Sequence, residues 1–147
     1  MDRREQILAR LLVIAQQTAG INVAYRNKPG INEADLDVVV ICDGDEQSDE
    51  RDPEGSRPTN SPRRVVMTPS IEITAGGPPE TIGSTINGYR AKLIKAISTD
   101  ATLITLCLDR FGIRYLGCVS GSGLGSTMEA NMVLNFAFAY RLFPDEL

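Results

Sequence analysis

Between an apolar run at residues 36–42 (LDVVVIC) and an alternating run at 63–75 (RRVVMTPSIEITA) the chain reads DGDEQSDERDPEGSRPTNSP. That junction constrains the fold more than any other feature. Its prolines, Pro53, Pro58 and Pro62, cannot occupy the interior of a helix or a central strand. The flanking runs read as strands, so the polar segment predicts a long loop over residues 43–62 that joins them as a hairpin. The acids Asp43, Asp45, Glu46, Asp49, Glu50, Asp52 and Glu54 are opposed within 43–54 only by Arg51, a local charge of −6. Against a total of −4 the remainder of the chain stands at +2. A loop of this length in a small domain is functional or unstructured.

The flanking segments carry their own patterns. Residues 36–42 are apolar almost without break, as in a strand buried on both faces in the middle of a sheet. In 63–75, Val65, Met67, Ile71 and Ile73 share one face and Arg64, Thr68, Ser70 and Glu72 the other. Pro69 has no amide hydrogen, which points to an edge position or a bulge. Residues 21–26 predict a first strand and 111–119 another. Residues 128–142 alternate throughout, from Met128 to Leu142, and predict a strand so long that another subunit could supply part of its pairing. Residues 3–18 carry Ile7, Leu8, Leu11, Leu12 and Ala15 at helical spacing, with Asp2 as a cap and Gly20 as a stop. Residues 81–98 repeat the pattern after Pro78 and Pro79, and Asp100 caps a short turn. Gly83 and Gly88, costly in a helix interior, suggest close approach to a neighbour. The order predicts a single α+β domain over residues 1–147, with a mainly antiparallel or mixed sheet and two helices on one face.

Composition matters mainly for chemistry. The chain has no histidine, which removes His-based nucleophile systems and His-ligated zinc. Cys42, Cys107 and Cys118 form no CxxC pair and read as buried, reduced thiols. The net charge of −4 disfavours DNA binding by bulk charge. No apolar run reaches the ~20 residues of a membrane span, and the amphipathic N-terminal pattern, with Arg10 inside it, is not a secretory leader.

The remaining motifs are weak. Gly121, Gly123 and Gly125 follow a GxGxG spacing, but between two predicted strands, so they read as a hairpin turn and not as a phosphate cradle. Asp43, Asp45, Gln47, Asp49 and Glu54 fall at offsets of a calcium loop, yet Ser48 stands where glycine is needed and strands flank the loop. Asp35, Asp37, Asp43 and Glu72 bracket predicted strands and leave a hydrolytic carboxylate pair open, although ordinary surface acids suit them better. Arg57, Arg63 and Arg64 read as a solvated strand start. The acidic loop is the one candidate site. Its physical use is repulsion: copies of it around a passage would keep DNA phosphates off the wall.

The order of elements resembles that of the tail terminator, or minor tail, proteins of long-tailed bacteriophages. The resemblance spans residues 3–142. It rests on the N-terminal amphipathic helix, the apolar strand entering a polar loop, and the helix INGYRAKLIKAISTDATL. That helix ends in the step Ser98-Thr99-Asp100-Ala101-Thr102-Leu103, and the last strand closes near Tyr140. The resemblance implies a virion protein, assembled in the host cytoplasm, that forms a hexameric ring on the last layer of the tail tube. Such a ring ends polymerisation, meets a head-side connector or stopper protein, and lets DNA pass without reading it. It implies no cofactor, no metal, no enzymatic chemistry and no membrane. A head-closure protein of the same particle, and a small acidic enzyme or calcium-binding domain, are the alternatives.

Overall fold

The computed structural model describes residues 1–53, 56–108, 110–122 and 129–147. Helix α1 (Arg3–Gln16) starts where expected, the Asp2 carboxylate accepting from the Arg4 amide at 3.0 Å. It ends before Gly20, which closes the following turn at φ +94°. Strand β1 (Val23–Arg26) follows, then a loop with a single 3₁₀ turn, β2 (Val38–Ser48) and β3 (Arg63–Gly76). Helix α2 (Pro79–Thr99) has Pro79 in its first turn, and Asp100 caps a short α3 (Ala101–Leu106) by accepting from the Leu103 amide. The Asp100 carboxylate also takes both Nε and Nη2 of Arg10, at 3.0 and 2.7 Å, which ties α3 to α1. Strands β4 (Ile113–Ser122) and β5 (Glu129–Leu142) complete the chain.

The strands form one sheet in the order β1-β2-β3-β5-β4. Only β1 and β2 run parallel, so the sheet is mixed and the domain α+β, as its sequence predicts. The helices cover one face. Ile7, Leu8 and Leu11 of α1 and Ile86, Tyr89, Leu93 and Ile97 of α2 join Val39, Ile41, Met67, Ile71, Phe136 and Phe138 of the sheet in a single buried cluster. Val38 and Val40 point the other way and are also buried, so this part of β2 is enclosed on both sides. Among the described residues no helix is long and apolar enough to cross a membrane.

Several expectations change. Strand β2 does not stop at Cys42 but runs on through Asp43, Asp45 and Glu46 to Ser48, so the first part of the predicted loop is ladder. The extension works because the pairing partners, Val65 to Thr68, are good strand formers that hold the polar residues by backbone bonds. The 14-residue β5 pairs with β3 of its own chain from Glu129 to Leu142 and with β4 from Ala130 to Phe138, so most of its length is paired within the chain; past Phe138 no β4 residue stands beside it among the described residues, and the Ala139 carbonyl accepts from the Leu108 amide. Its predicted first residue, Met128, lies outside the described residues. Of the two places expected for Pro69 it takes the bulge, in the central strand β3 and not at an edge. The register between β2 and β3 slips between Cys42 and Asp45, and the proline falls in that gap, where no ladder bond is asked of it. Cys107 is buried as expected, whereas Cys42 is half-buried and Cys118 exposed.

Gly83 and Gly88 give no close approach: a Cβ at either would meet nothing within 4 Å. The helix therefore carries their entropic cost without return. Gly83→Ala and Gly88→Ala are each expected to stabilise the domain by about 0.5–1 kcal/mol. Thermal melts of the single and double variants check this, and a fall in melting temperature would mean that the glycines serve a contact outside the monomer.

Candidate functional site

The acidic hairpin is built by the bulge that ends the apolar half of β2. Gly44 takes φ +72°, and a Cβ there would lie 2.0 Å from the Thr68 carbonyl oxygen, so only glycine fits. Past this point the acids take individual partners. Arg26 at the end of β1 donates from Nε and Nη2 to the Asp43 carboxylate, at 2.7 and 2.9 Å, and from Nη1 and Nη2 to Glu5 of α1, at 2.6 and 2.9 Å. The Asn27 side-chain oxygen accepts from the Asp43 amide, and Arg4 donates to the Gly44 carbonyl at 2.8 Å. The other terminal nitrogen of Arg4 is buried without a partner among the described residues. Glu46 accepts from the hydroxyl of Tyr140, whose ring is fully buried. Asp49 takes the Arg64 Nε at 2.6 Å and the Arg51 amide at 3.1 Å. Asp52 takes the Arg64 amide at 2.8 Å and an Arg57 nitrogen at 2.5 Å.

The segment is therefore not a free anionic surface. Arg26, Arg57 and Arg64 all lie outside the 43–54 window from which the charge of −6 is read, and each grips one of its acids. Asp45 and Glu50 are exposed, and their carboxylates make no hydrogen bond or ion pair among the described residues. Glu54 lies outside the described residues.

Arg26 holds the Asp43 and Glu5 carboxyls below their usual range. Burial pushes Asp49 up, but the Arg51 amide and the Arg64 guanidinium together carry it down. The Arg64 amide and then Arg57 lower Asp52. Carboxyls that titrate lower when folded stabilise the fold above their unfolded values of about 4, and that stabilisation is lost as pH falls through the lower folded values. Arg26→Met is accordingly expected to cost about 1 kcal/mol at pH 7, a modest figure because water reaches the pair. The variant and parent melting curves are expected to converge as pH falls through and below the lowered folded values of the two acids. Equal separation at pH 7 and at low pH, by circular dichroism, would show that Arg26 acts by packing alone.

The other candidate carboxylates are not brought together. Asp35 accepts from the Tyr25 hydroxyl at 2.9 Å. Asp37 takes the Gly76 amide at 2.9 Å and the hydroxyl of Tyr89, whose own ionisation is pushed up to about 12 by burial and by that carboxylate. Each is a fastener between elements, and a shared proton between them has no geometry here. The calcium spacing fares no better: Asp43, Asp45 and Gln47 lie along an extended strand and do not curl round a point. Among the described residues no group of three or more Cys, Asp or Glu could hold a metal. Gly121 lies in β4, while Gly123 and Gly125 are outside the described residues.

On the helix-free face, beside the hairpin, a concavity of about 350 Å³ is lined by Asp49, Glu50, Arg51, Arg64, Thr68, Phe111 and Arg114, among others. It mixes both charges and an exposed ring, as a contact surface does. Sequence reasoning missed Arg4, Glu5, Arg26 and Tyr140. No local pattern marks them, because Arg4, Arg26 and Tyr140 meet the hairpin from distant elements and Glu5 reaches it only through Arg26. Arg57 and Arg64 could have been found, since they stand close to the acids they hold. No protein-family model and no curated protein sequence matches the chain.

Proposed function

We propose that this chain is a structural subunit of a bacteriophage tail, a terminator that closes the tail tube as a ring and meets the head-side connector. The observation that carries the reading is the state of the sheet edges. β1 and β4 are the outer strands, and among the described residues no backbone group of either bonds beyond the sheet. Edges are normally blunted by charge. β4 carries charge only at Arg114, near its start: from Tyr115 to Ser122 no residue is charged, and Leu116 and Val119 are 53% and 65% exposed. A surface like this is built to be covered. In a ring of heterologous contacts every copy gives one edge and receives another, and closure leaves none open.

In this reading the hairpin is a stiff projection, clamped by arginines, that offers Asp45 and Glu50 to the channel. Passing DNA is repelled by those two acids in each copy, a weaker effect than seven free ones would produce. The protein acts by shape, with the tube protein and the connector as partners and no bound cofactor.

Imaging and sizing of the purified protein test this. Six-fold rings are expected at high concentration, and antibody label at the head-proximal end of assembled tails. Leu116→Lys combined with Val119→Asp is expected to abolish the rings while shifting monomer stability by no more than about 0.5 kcal/mol, because both side chains are exposed. A monomer at every concentration, together with label elsewhere on the particle, would end the proposal.

A further inference from the structure

The edge strands differ in a way that specifies how copies meet. β1 runs parallel to β2, which is antiparallel to β3; β3 is antiparallel to β5, and β5 to β4. Following these directions across the sheet, β4 points opposite to β1. Two copies set side by side in the same orientation therefore bring β4 of one against β1 of the next as an antiparallel pair, the better-bonded arrangement.

The side chains agree with that match. Tyr25 stands opposite Val40, Val40 opposite Glu72, Glu72 opposite Val133, and Val133 opposite Val119. Val119 at one edge and Tyr25 at the other thus lie on the same, helix-free face. Val23, two residues before Tyr25, lies there as well. Both are half-buried; Tyr25 carries the Lys28 ammonium 3.8 Å from its ring centre and donates to Asp35, so Val23 is the apolar side chain that can meet an incoming β-branched one. The lengths also fit. β4 is kinked by a register slip between Tyr115 and Gly117, which leaves Gly117 to Ser122 as its regular run, ample for the four residues of β1.

We infer that β4 of each subunit adds β1 of the next subunit as an antiparallel strand, so that one sheet continues from copy to copy with the helices all on one side. The inference rests on the ring reading above, since it needs two different edges to meet. A two-fold pairing of β4 with β4 is the competing arrangement, and it would leave β1 open.

Cysteine pairs on the helix-free face discriminate between them. In a Cys118→Ser background, Val119→Cys is combined with Val23→Cys or with Tyr25→Cys, and each single cysteine variant serves as control. After mild oxidation of the concentrated full-length protein, at least one double variant is expected to give a denaturing-gel ladder that climbs past the dimer to the closed ring, with the single variants remaining monomeric. Rings seen by electron microscopy without a ladder in either double variant would overturn this pairing and leave the ring reading standing. A band that stops at dimer with Val119→Cys alone would overturn the pairing in favour of the two-fold arrangement. Neither rings nor crosslinks, with parental melting behaviour retained, would overturn both.

Discussion

Gly44→Ala is expected to destabilise the domain by about 4 kcal/mol, from roughly 1–2 for a side chain in the left-handed region and 1–3 for forced overlap. The two costs have separate origins. The backbone sits at φ +72°, and the added methyl would overlap the Thr68 carbonyl oxygen at 2.0 Å. That carbonyl belongs to the central strand and cannot move without opening the β2–β3 ladder. For a domain of this length the loss corresponds to a fall of about 8–16 °C in melting temperature. Gly30 supplies the internal control. It has nearly the same φ, +73°, but a Cβ there would meet nothing within 4 Å. Gly30→Ala should therefore carry only the conformational part, about 1 kcal/mol. Equal losses at the two sites, by thermal or urea unfolding, would mean that the overlap is relieved at no cost and that the bulge is not what sets the hairpin.

Phe136→Ala is the second large effect, with an expected loss of about 3–5 kcal/mol. Phe136 is fully buried in β5, and its ring lies 5.4 Å from that of Tyr115 and 6.0 Å from that of Phe138. Two sheet neighbours and the helical layer above confine the site, so a cavity there cannot collapse. Phe136→Leu keeps most of the volume and should lose much less, about 1–1.5 kcal/mol. Leu116→Ala, at an exposed edge position, should stay within about 0.5 kcal/mol in the monomer. If Phe136→Ala cost no more than Leu116→Ala, the aromatic row would not be the centre of the core.

The elements were largely legible from periodicity. The α1 stripe, the doubly buried run in β2 and the alternation of β5 reflect which face each residue must hide, and that is local information. Caps were legible for the same reason: Asp2 and Asp100 each bond an amide within three residues. The bulge was half legible, because Pro69 announces a broken ladder but not which strand carries the extra residue. The candidate site was read least well. Counting charge along 43–54 treats the acids as neighbours of one another, whereas in the fold Asp43 belongs with Arg26 and Glu5, and Glu46 with Tyr140.

By itself the amino-acid sequence determined the α+β class, the five strands, the two long helices and which strands the hairpin joins, since hydrophobic period and turn chemistry act over a few residues; the short α3 and the extension of β2 to Ser48 it did not. Only the tertiary structure decided that most of the hairpin's described acids are held by partners, that β5 is interior, and that β1 and β4 are the open edges of opposite direction. Those facts depend on strand order and on contacts between residues far apart in the chain, which burial and ion pairing select only once the whole sheet has closed over its core.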